Sequence, residues 1–172
     1  AYHLMIRQER SLIEKAGGLH KFMNWSRPIL TDSGGYQVFS LSSQTKVSKD
    51  GVEFKSPLNG NKLFMSPEKS IETQLYLGSD IMMIFDECTP YPSSKIETEK
   101  SMELSLYWAE MSHKANNSKM PLFGIIQGGM YPDLREISLN ELIKYDFEGY
   151  ALGGLSVGEP DHLRKEVIED IG

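Results

Sequence analysis

Short apolar runs alternate along this chain with polar or glycine-rich turns and with helical stretches. Four runs predict strands at residues 28–31, 81–85, 122–126 and 150–152, and each is apolar throughout instead of alternating. Strands of that kind are covered on both faces, and parallel strands need helical crossovers. The pattern therefore predicts an α/β fold with a parallel sheet. A doubly wound sheet and a (β/α) barrel both satisfy it.

Turn and cap residues delimit the other predicted elements. Residues 52–55 and 62–65 alternate on either side of Asn59-Gly60, which predicts a β-hairpin. Ser66-Pro67-Glu68 has the composition of a helix start, and that helix continues to Gly78. Further helices are predicted from Ser94 to Asn116, from Pro132 to Tyr145, and from a cap at Asp161 to the chain end.

Composition restricts the class of protein. The 172 residues are 40% hydrophobic and 24% charged, which is ordinary for one globular domain. No apolar run is long enough for a membrane span, and no signal-peptide pattern opens the chain. Cys88 is the only cysteine, which excludes an internal disulfide and suits a reducing cytoplasm. We therefore expect a cytoplasmic protein with no membrane partner.

Charge and histidine spacing bear on partners and metals. The net charge of −6 argues, taken alone, against an RNA partner, which normally meets a basic surface. The histidines show no ligand spacing, so we expect no metal site or other cofactor in this chain; they are His3, His20, His113 and His162. The chain begins at Ala1 and ends within a predicted helix, which indicates a part of a longer protein.

Polar residues follow the ends of the predicted parallel strands. Asp32, Asp86, Gln127 and Gly153-Gly154 each come just after one strand. The carboxyl ends of parallel strands share one edge, where enzymes of both candidate folds build their sites. The alternative is ordinary turn chemistry, since Asp and Gly favour turns. The common position of all four favours convergence on one ligand.

The hydrogen-bonding character of this set suits a planar polar ligand. Carboxylates accept, a glutamine amide donates and accepts, and a glycine N–H donates, which together complement a guanine edge. Tyr36 has two interpretations, as an aromatic that stacks on the ligand or as a core residue. A sugar or a peptide would also use carboxylates, and Asp32 with Asp86 would then form the pair of a barrel glycoside hydrolase.

Neighbouring residues have less specific interpretations. Residues 153–158 are glycine-rich and precede a helix, so they form a candidate phosphate cradle, although the Lys-Ser/Thr ending of a P-loop is missing. Cys88 follows two acids, which disfavour a thiolate, and is interpreted as a thiol that lines the pocket. Glu87 is expected to support the turn. The expected core residues are Trp25, Trp108, Met82 and Met83.

Several segments resemble the signatures of bacterial tRNA-guanine transglycosylases. The resemblance covers essentially the whole chain, in family order. The matching segments are Tyr2-His3-Leu4-Met5, Gly17-Gly18-Leu19-His20, Thr31-Asp32-Ser33-Gly34-Gly35-Tyr36-Gln37-Val38, Phe85-Asp86-Glu87-Cys88-Thr89-Pro90, Gly124-Ile125-Ile126-Gln127-Gly128 and Gly153-Gly154-Leu155-Ser156-Val157-Gly158-Glu159. One departure is Gln8-Glu9, where the family has Pro-Gly in a surface loop.

The resemblance implies a fold and a reaction. It implies a (β/α)8 TIM barrel, of which residues 1–172 are an incomplete central part that carries the base-binding pocket. The barrel start, the C-terminal zinc region, the nucleophilic aspartate and the basic RNA-contacting segments would lie outside this chain. The implied reaction exchanges the wobble guanine of a tRNA for 7-aminomethyl-7-deazaguanine through a covalent ribosyl–aspartate, with the nucleotide flipped out. A homodimer is implied for the full-length protein, and this part alone is expected to be inactive.

The resemblance also implies roles for individual residues. Asp32 matches the general acid/base, Asp86 and Gln127 match the groups on the guanine edge, and the Gly154 N–H faces the carbonyl oxygen. The Leu155 carbonyl matches the acceptor for the aminomethyl group. The other matching substrate-binding residues are Ser33, Gly34, Gly35, the stacking Tyr36, and Cys88 and Val157, which fit the bacterial pattern. A non-catalytic partner subunit of the same family remains the other interpretation.

Overall fold

The computed structural model describes residues 1–7, 10–41 and 45–171, so Gln8 and Glu9 lie outside the described residues. The first half contains helices α1 (Tyr2–Arg7), α2 (Arg10–Ala16), α3 (Gly18–Met23) and α4 (Gly35–Leu41), strands β1 (Lys46–Ser48), β2 (Gly51–Lys55) and β3 (Lys62–Met65), and helix α5 (Pro67–Leu77). The second half contains β4 (Met82–Met83), α6 (Lys95–Ala115), β5 (Leu122–Ile126), α7 (Pro132–Leu142), a 3-10 turn (Ile143–Tyr145), β6 (Gly149–Leu152) and α8 (Asp161–Ile171).

Strands β4, β5 and β6 form the predicted parallel sheet in sequence order. Met82 pairs with Leu122 and Phe123 pairs with Gly149, while Leu30 adds a single parallel bridge to Ile81. The helices between strands cover one face, with Ile71, Ala109 and Leu142 in the shared core. The α/β prediction is confirmed. Within the described ranges the sheet does not close into a barrel.

The first two predicted strands are shorter than expected because a side chain takes the place of strand pairing. Gln74, on α5, accepts a hydrogen bond from the Met83 N–H and donates one to the Met83 carbonyl, both at 2.9 Å. Its oxygen also accepts from the Thr31 hydroxyl at 3.0 Å. The fully buried amide thus satisfies backbone groups that a longer ladder would have used.

The predicted hairpin is confirmed and gains a third strand, β1. Val52 pairs with Met65 and Lys55 with Lys62 in the antiparallel ladder. This small sheet packs on α6, where the buried Trp108 donates its indole N–H to the Lys49 carbonyl at 2.8 Å. Trp108 is therefore a core residue as predicted, and so are the buried Met82 and Met83.

Helix starts agree with the capping signals with one exception. Ser66 accepts from the Lys69 N–H, and Ser94 forms a reciprocal capping box with Glu97. The predicted cap at Asp161 is wrong by one position, because α8 begins at Asp161 itself.

The expectation that Trp25 lies in the core is wrong. Trp25 is 47% exposed, and it follows Asn24, which ends α3 in a left-handed conformation. Phe22 and Met23 are also exposed beside it. Of the helices in the described ranges, none combines the length and the apolar character that crossing a bilayer requires.

Candidate functional site

A cleft of about 570 Å³ opens at the carboxyl ends of the parallel strands. Ten of the eleven predicted site residues line it, the exception being Gln127. Those ten are Asp32, Ser33, Gly34, Gly35, Tyr36, Asp86, Cys88, Gly154, Leu155 and Val157. Apolar side chains from the open face of the sheet complete the lining, among them Met83, Phe123 and Tyr150. The two carboxylates therefore share one cavity.

Asp86 is a buried carboxylate three residues after β4, with only 7% of the residue exposed. One oxygen accepts from the Gln127 amide at 2.7 Å, and the other accepts from the Ser33 hydroxyl at 3.4 Å. Burial raises the pKa of Asp86 to about 6, against the hydrogen bonds from Gln127 and Ser33, which favour the charged form. The group therefore changes charge close to physiological pH.

Gln127 lies behind the cleft. It is fully buried, and its backbone N–H donates to the Ser138 hydroxyl at 3.1 Å. In the described part of the chain its side-chain oxygen has no hydrogen-bond partner, and a Cβ at Gly154 would lie 2.7 Å from it. The amide thus supports Asp86 directly. Its predicted contact with a ligand stays a prediction.

Asp32 stands at the cleft with its side chain 51% exposed. It precedes the turn into α4, and the Ala1 nitrogen donates to both its carboxylate and its carbonyl oxygen. The neighbouring Ser33 hydroxyl donates to Asp86 and accepts from the Gly35 N–H. The ends of two strands are therefore joined through Ser33, which keeps an exposed and a buried carboxylate in one pocket.

Gly35 allows the chain to pass close to Asp86. A Cβ at Gly35 would lie 2.5 Å from the Asp86 carbonyl oxygen and 3.0 Å from its carboxylate. No side chain fits in that gap without displacing backbone. Tyr36 follows and is 51% exposed at the cleft, so its interpretation as a core aromatic is wrong.

The segment after β4 bears out two expectations. Burial, followed by the charge of Asp86, raises the pKa of Cys88 to about 11, which fits a lining thiol and not a nucleophile. The Gly154 backbone N–H acts in the opposite direction and lowers the pKa of Cys88, but burial outweighs it. Glu87 supports the turn, since its N–H donates to the Ser105 hydroxyl at 2.9 Å.

The glycine-rich segment after β6 is held by Glu159. This carboxylate accepts from the N–H groups of Ser156, at 2.5 Å, and Val157, at 2.8 Å. Burial alone would raise the pKa of Glu159, but the backbone hydrogen bonds outweigh it and lower that pKa. Glu159 thus occupies two of the N–H groups that a phosphate cradle would use and places a negative charge beside them, which argues against that interpretation of residues 153–158.

Arg135 is a functional candidate that the sequence reasoning missed. It is fully buried on α7, and it donates to the carbonyls of Gly129 at 2.7 Å, Ile126 at 3.2 Å and Gly153 at 2.9 Å. The available signal was a cation on the same helix face as Ser138 and Leu142, which are also buried. A charge on a core-facing stripe indicates a specific partner.

Potential metal ligands do not gather in this structure. Across residues 1–7, 10–41 and 45–171, no three His, Cys, Asp or Glu side chains are close enough to hold an ion. The zinc expected for the full-length protein would therefore need ligands from other residues.

A sequence model of the queuine tRNA-ribosyltransferase family matches residues 1–171. The chain belongs to this family. Queuine tRNA-ribosyltransferases from Idiomarina loihiensis and Caldanaerobacter subterraneus are 56% and 58% identical to it over 169 and 170 residues. One from Pseudoalteromonas translucida is 59% identical over 169 residues. Each alignment covers 98% of this chain and 45% of the relative, so the chain spans a little under half the length of these queuine tRNA-ribosyltransferases.

Proposed function

We propose that this chain forms the base-recognition part of an enzyme that exchanges the wobble guanine of a tRNA for 7-aminomethyl-7-deazaguanine. One observation carries the proposal: Asp32, Asp86 and the Gly154 backbone line a single cleft at the carboxyl ends of parallel strands. Membership of the queuine tRNA-ribosyltransferase family supports the same reaction class. A tRNA substrate implies a cytoplasmic protein.

Guanine recognition follows from the donors and acceptors of the cleft. The Asp86 carboxylate accepts from the N–H groups on one edge of the base, and Gln127 holds that carboxylate from behind. The Gly154 N–H donates to the base carbonyl oxygen. Tyr36, half exposed at the rim, stacks on the ring. A buried carboxylate that matches two donors rejects bases that lack them, because its charge would then stay unpaired.

The chemistry needs a nucleophile, which we assign to an aspartate outside this chain. It attacks the anomeric carbon of the flipped guanosine, so a C–O bond forms as the C–N bond to guanine breaks. The electron pair of that bond leaves with guanine, whose ring nitrogen takes a proton delivered by Asp32. The incoming base then returns a proton to Asp32, its nitrogen attacks the same carbon, and the C–O ester bond breaks.

Selectivity for the incoming base belongs to the segment after β6. The Leu155 carbonyl accepts a hydrogen bond from the aminomethyl group, and Val157 limits the space beyond it. Glu159 holds the Ser156 and Val157 N–H groups, which keeps this segment against the cleft.

The full-length protein is proposed to be a (β/α)8 barrel with a zinc region. The open face of the sheet supports a barrel, since Leu30 is 53% exposed and Tyr150 38% exposed there, next to Met83, Phe123 and Ile125. Further strands would cover this apolar face. The zinc ligands would come from residues beyond this chain.

A homodimer is proposed for the full-length protein. Its support here is the exposed apolar group at the end of α3, formed by Phe22, Met23 and Trp25, each 47% exposed or more. A second copy of the protein would remove these side chains from water. Sedimentation of the full-length protein with and without Trp25→Glu tests this contact, and a variant that remains a dimer would contradict it.

The test of function is labelled guanine incorporation into tRNA by the full-length protein. We expect incorporation by the full-length protein and none above background by residues 1–172 alone. Full-length protein that binds guanine without incorporating it would instead support the non-catalytic partner subunit. The glycoside hydrolase has less support, because the family match favours base exchange. Calorimetric titration with guanine and with a simple sugar separates these two.

A further inference from the structure

The peptide unit between Gly153 and Gly154 lies between a buried cation and the cleft. Its carbonyl, on Gly153, accepts a hydrogen bond of 2.9 Å from the Arg135 guanidinium. Its N–H belongs to Gly154, which lines the cleft together with Cys88. The two groups of a trans peptide point in opposite directions. The positive end of this peptide dipole therefore faces the cleft, with a cation behind it.

The Arg135 charge is not neutralised by a direct ion pair in the part of the chain that the structure describes. All three of its hydrogen bonds go to backbone carbonyls, of Ile126, Gly129 and Gly153. Glu159 is the acid that acts on it electrostatically, and that carboxylate is itself bound to two N–H groups. Burial lowers the pKa of Arg135 to about 10, so the group remains a cation at neutral pH.

A buried cation on a peptide carbonyl changes what the attached N–H does. Charge-assisted hydrogen bonds are roughly twice as strong as neutral ones, and bonds in a chain polarise one another. The Gly154 N–H is therefore a stronger donor than an isolated amide would be. A dry site increases the effect, since less solvent screens the charge.

We propose that Arg135 is a positioning residue that polarises the Gly153–Gly154 peptide, so that the Gly154 N–H stabilises negative charge on the carbonyl oxygen of the departing base. The inference rests on the proposed function and deepens it. As the glycosidic bond breaks, its electron pair spreads over guanine and increases the charge on that oxygen. A preorganised donor there lowers the barrier without reorganising.

A purely structural role would require only donors for three carbonyls. Burying a guanidinium for that purpose is costly, because a charge loses its hydration and gains no opposite charge in direct contact. The geometry instead directs one guanidinium N–H to the Gly153 carbonyl, in the peptide whose other residue, Gly154, lines the cleft.

The test compares two bases that differ at one atom, using the full-length protein. Guanine and 6-thioguanine share the ring N–H donors, but sulfur accepts hydrogen bonds more weakly than oxygen. We expect Arg135→Gln to weaken guanine binding about 10-fold and 6-thioguanine binding less than about 3-fold, with kcat for guanine falling more than KM rises. Arg135→Lys keeps the charge, and its guanine affinity should lie between those of Arg135→Gln and the wild type. The matched control is Arg27→Gln, because Arg27 is exposed and does not line the cleft. This substitution should leave the affinities for both bases unchanged.

Equal losses for both bases in folded Arg135 variants would overturn the proposal and leave a structural role. If Arg135→Gln does not fold, the deciding quantity is the ratio of guanine to 6-thioguanine affinity in Arg135→Lys. The same ratio in Arg135→Lys as in the wild type would overturn the proposal. If the wild-type protein bound neither base, the proposed function would be contradicted instead. In that case the Gly154 amide proton still decides the polarisation, because an upfield shift in the Arg135 variants supports it and an unmoved resonance refutes it.

Discussion

The Asp86 carboxylate accepts a hydrogen bond of 2.7 Å from the side-chain amide of Gln127, and both residues are almost completely buried. The pair lies where β4 and β5 end next to each other, so sheet register alone brings together residues that are 41 positions apart. Gln127 faces the buried side of Asp86, and the cleft faces the other. Charge on Asp86 is therefore costly in the absence of a ligand that donates to it.

Replacing Asp86 by Asn should stabilise the protein at neutral pH. The pKa of Asp86 is about 6 in the fold against an ordinary 3.8, so the folded state binds the proton more tightly. The free energy of unfolding therefore falls as pH rises through this window and stays low above it. The substituted asparagine carries no charge, and its amide can accept from Gln127 and donate to Ser33. We expect a gain of up to about 3 kcal/mol at pH 7 and little gain at pH 4.

Thermal unfolding midpoints at these two pH values provide the measurement. Asp170→Asn, which removes an exposed carboxylate from α8, is the control and should show no such pH dependence. A midpoint for Asp86→Asn that is lower than the wild type at pH 7 would contradict the assigned cost of the charge.

Replacing Asp86 by Ala should abolish base binding. The change removes the acceptor for the guanine donors, and each donor left unpaired in a dry pocket costs about 1–3 kcal/mol. Isothermal titration of the full-length protein with guanine measures the loss. Asp133→Ala, at an exposed carboxylate paired with Lys95, should bind guanine normally. Undiminished affinity in Asp86→Ala would remove Asp86 from the recognition site.

Replacing Gly35 by Ala should damage the site through a clash. The new Cβ would lie 2.5 Å from the Asp86 carbonyl oxygen, so the turn into α4 or the end of β4 must move. We expect guanine affinity to fall at least about 10-fold, as misplacement of a binding group commonly does.

Gly60→Ala is the matched control for Gly35→Ala. Gly60 has φ +73 and nothing near a new Cβ, so alanine there costs about 1 kcal/mol of backbone strain and no clash. Its thermal midpoint should fall while guanine binding is unchanged. Equal guanine binding by both variants would mean that the close approach to Asp86 is unimportant.

Replacing Val157 by Gly should relax selectivity toward bulkier bases. Val157 and Gly154 line both the main cleft and a neighbouring pocket of about 50 Å³. Losing the isopropyl group joins the two spaces, and Val157→Ala should have an intermediate effect. Competition between 7-aminomethyl-7-deazaguanine and a base with a larger substituent measures selectivity. Val47→Gly, at an exposed valine of β1, should leave the ratio unchanged, and an unchanged ratio in Val157→Gly would exclude Val157 as a selectivity residue.

The position of the site could be predicted from sequence because it depends on strand ends. Asp32, Asp86 and Gly154 follow apolar runs, and any parallel sheet brings such ends to one edge. The pattern could not say which side of a strand end each side chain occupies. Gln127 illustrates the limit, since its position in sequence resembles that of Asp86 although it lies behind the cleft.

Elements held by side chains were harder to predict. Gln74 bonds to the backbone N–H and carbonyl of Met83, so the strands at residues 28–31 and 81–85 are shorter than their apolar runs predict. Arg135 was missed because its partners are carbonyls, which have no residue signature. Trp25 was misplaced because hydrophobicity alone does not distinguish a core aromatic from one on an exposed turn.

The small antiparallel sheet is connected to the site by side-chain contacts, although its strands are distant from Asp86 in sequence. Its turn residue Lys49 receives the Trp108 indole N–H, and the Trp108 ring lies 4.9 Å from the ring of Phe85, the residue before Asp86. The small sheet therefore braces the site, because the Trp108 and Phe85 rings connect it to the backbone that carries Asp86. Substitutions on the surface of this sheet should therefore leave base recognition unchanged only if the contacts of Trp108 with Lys49 and Phe85 are kept.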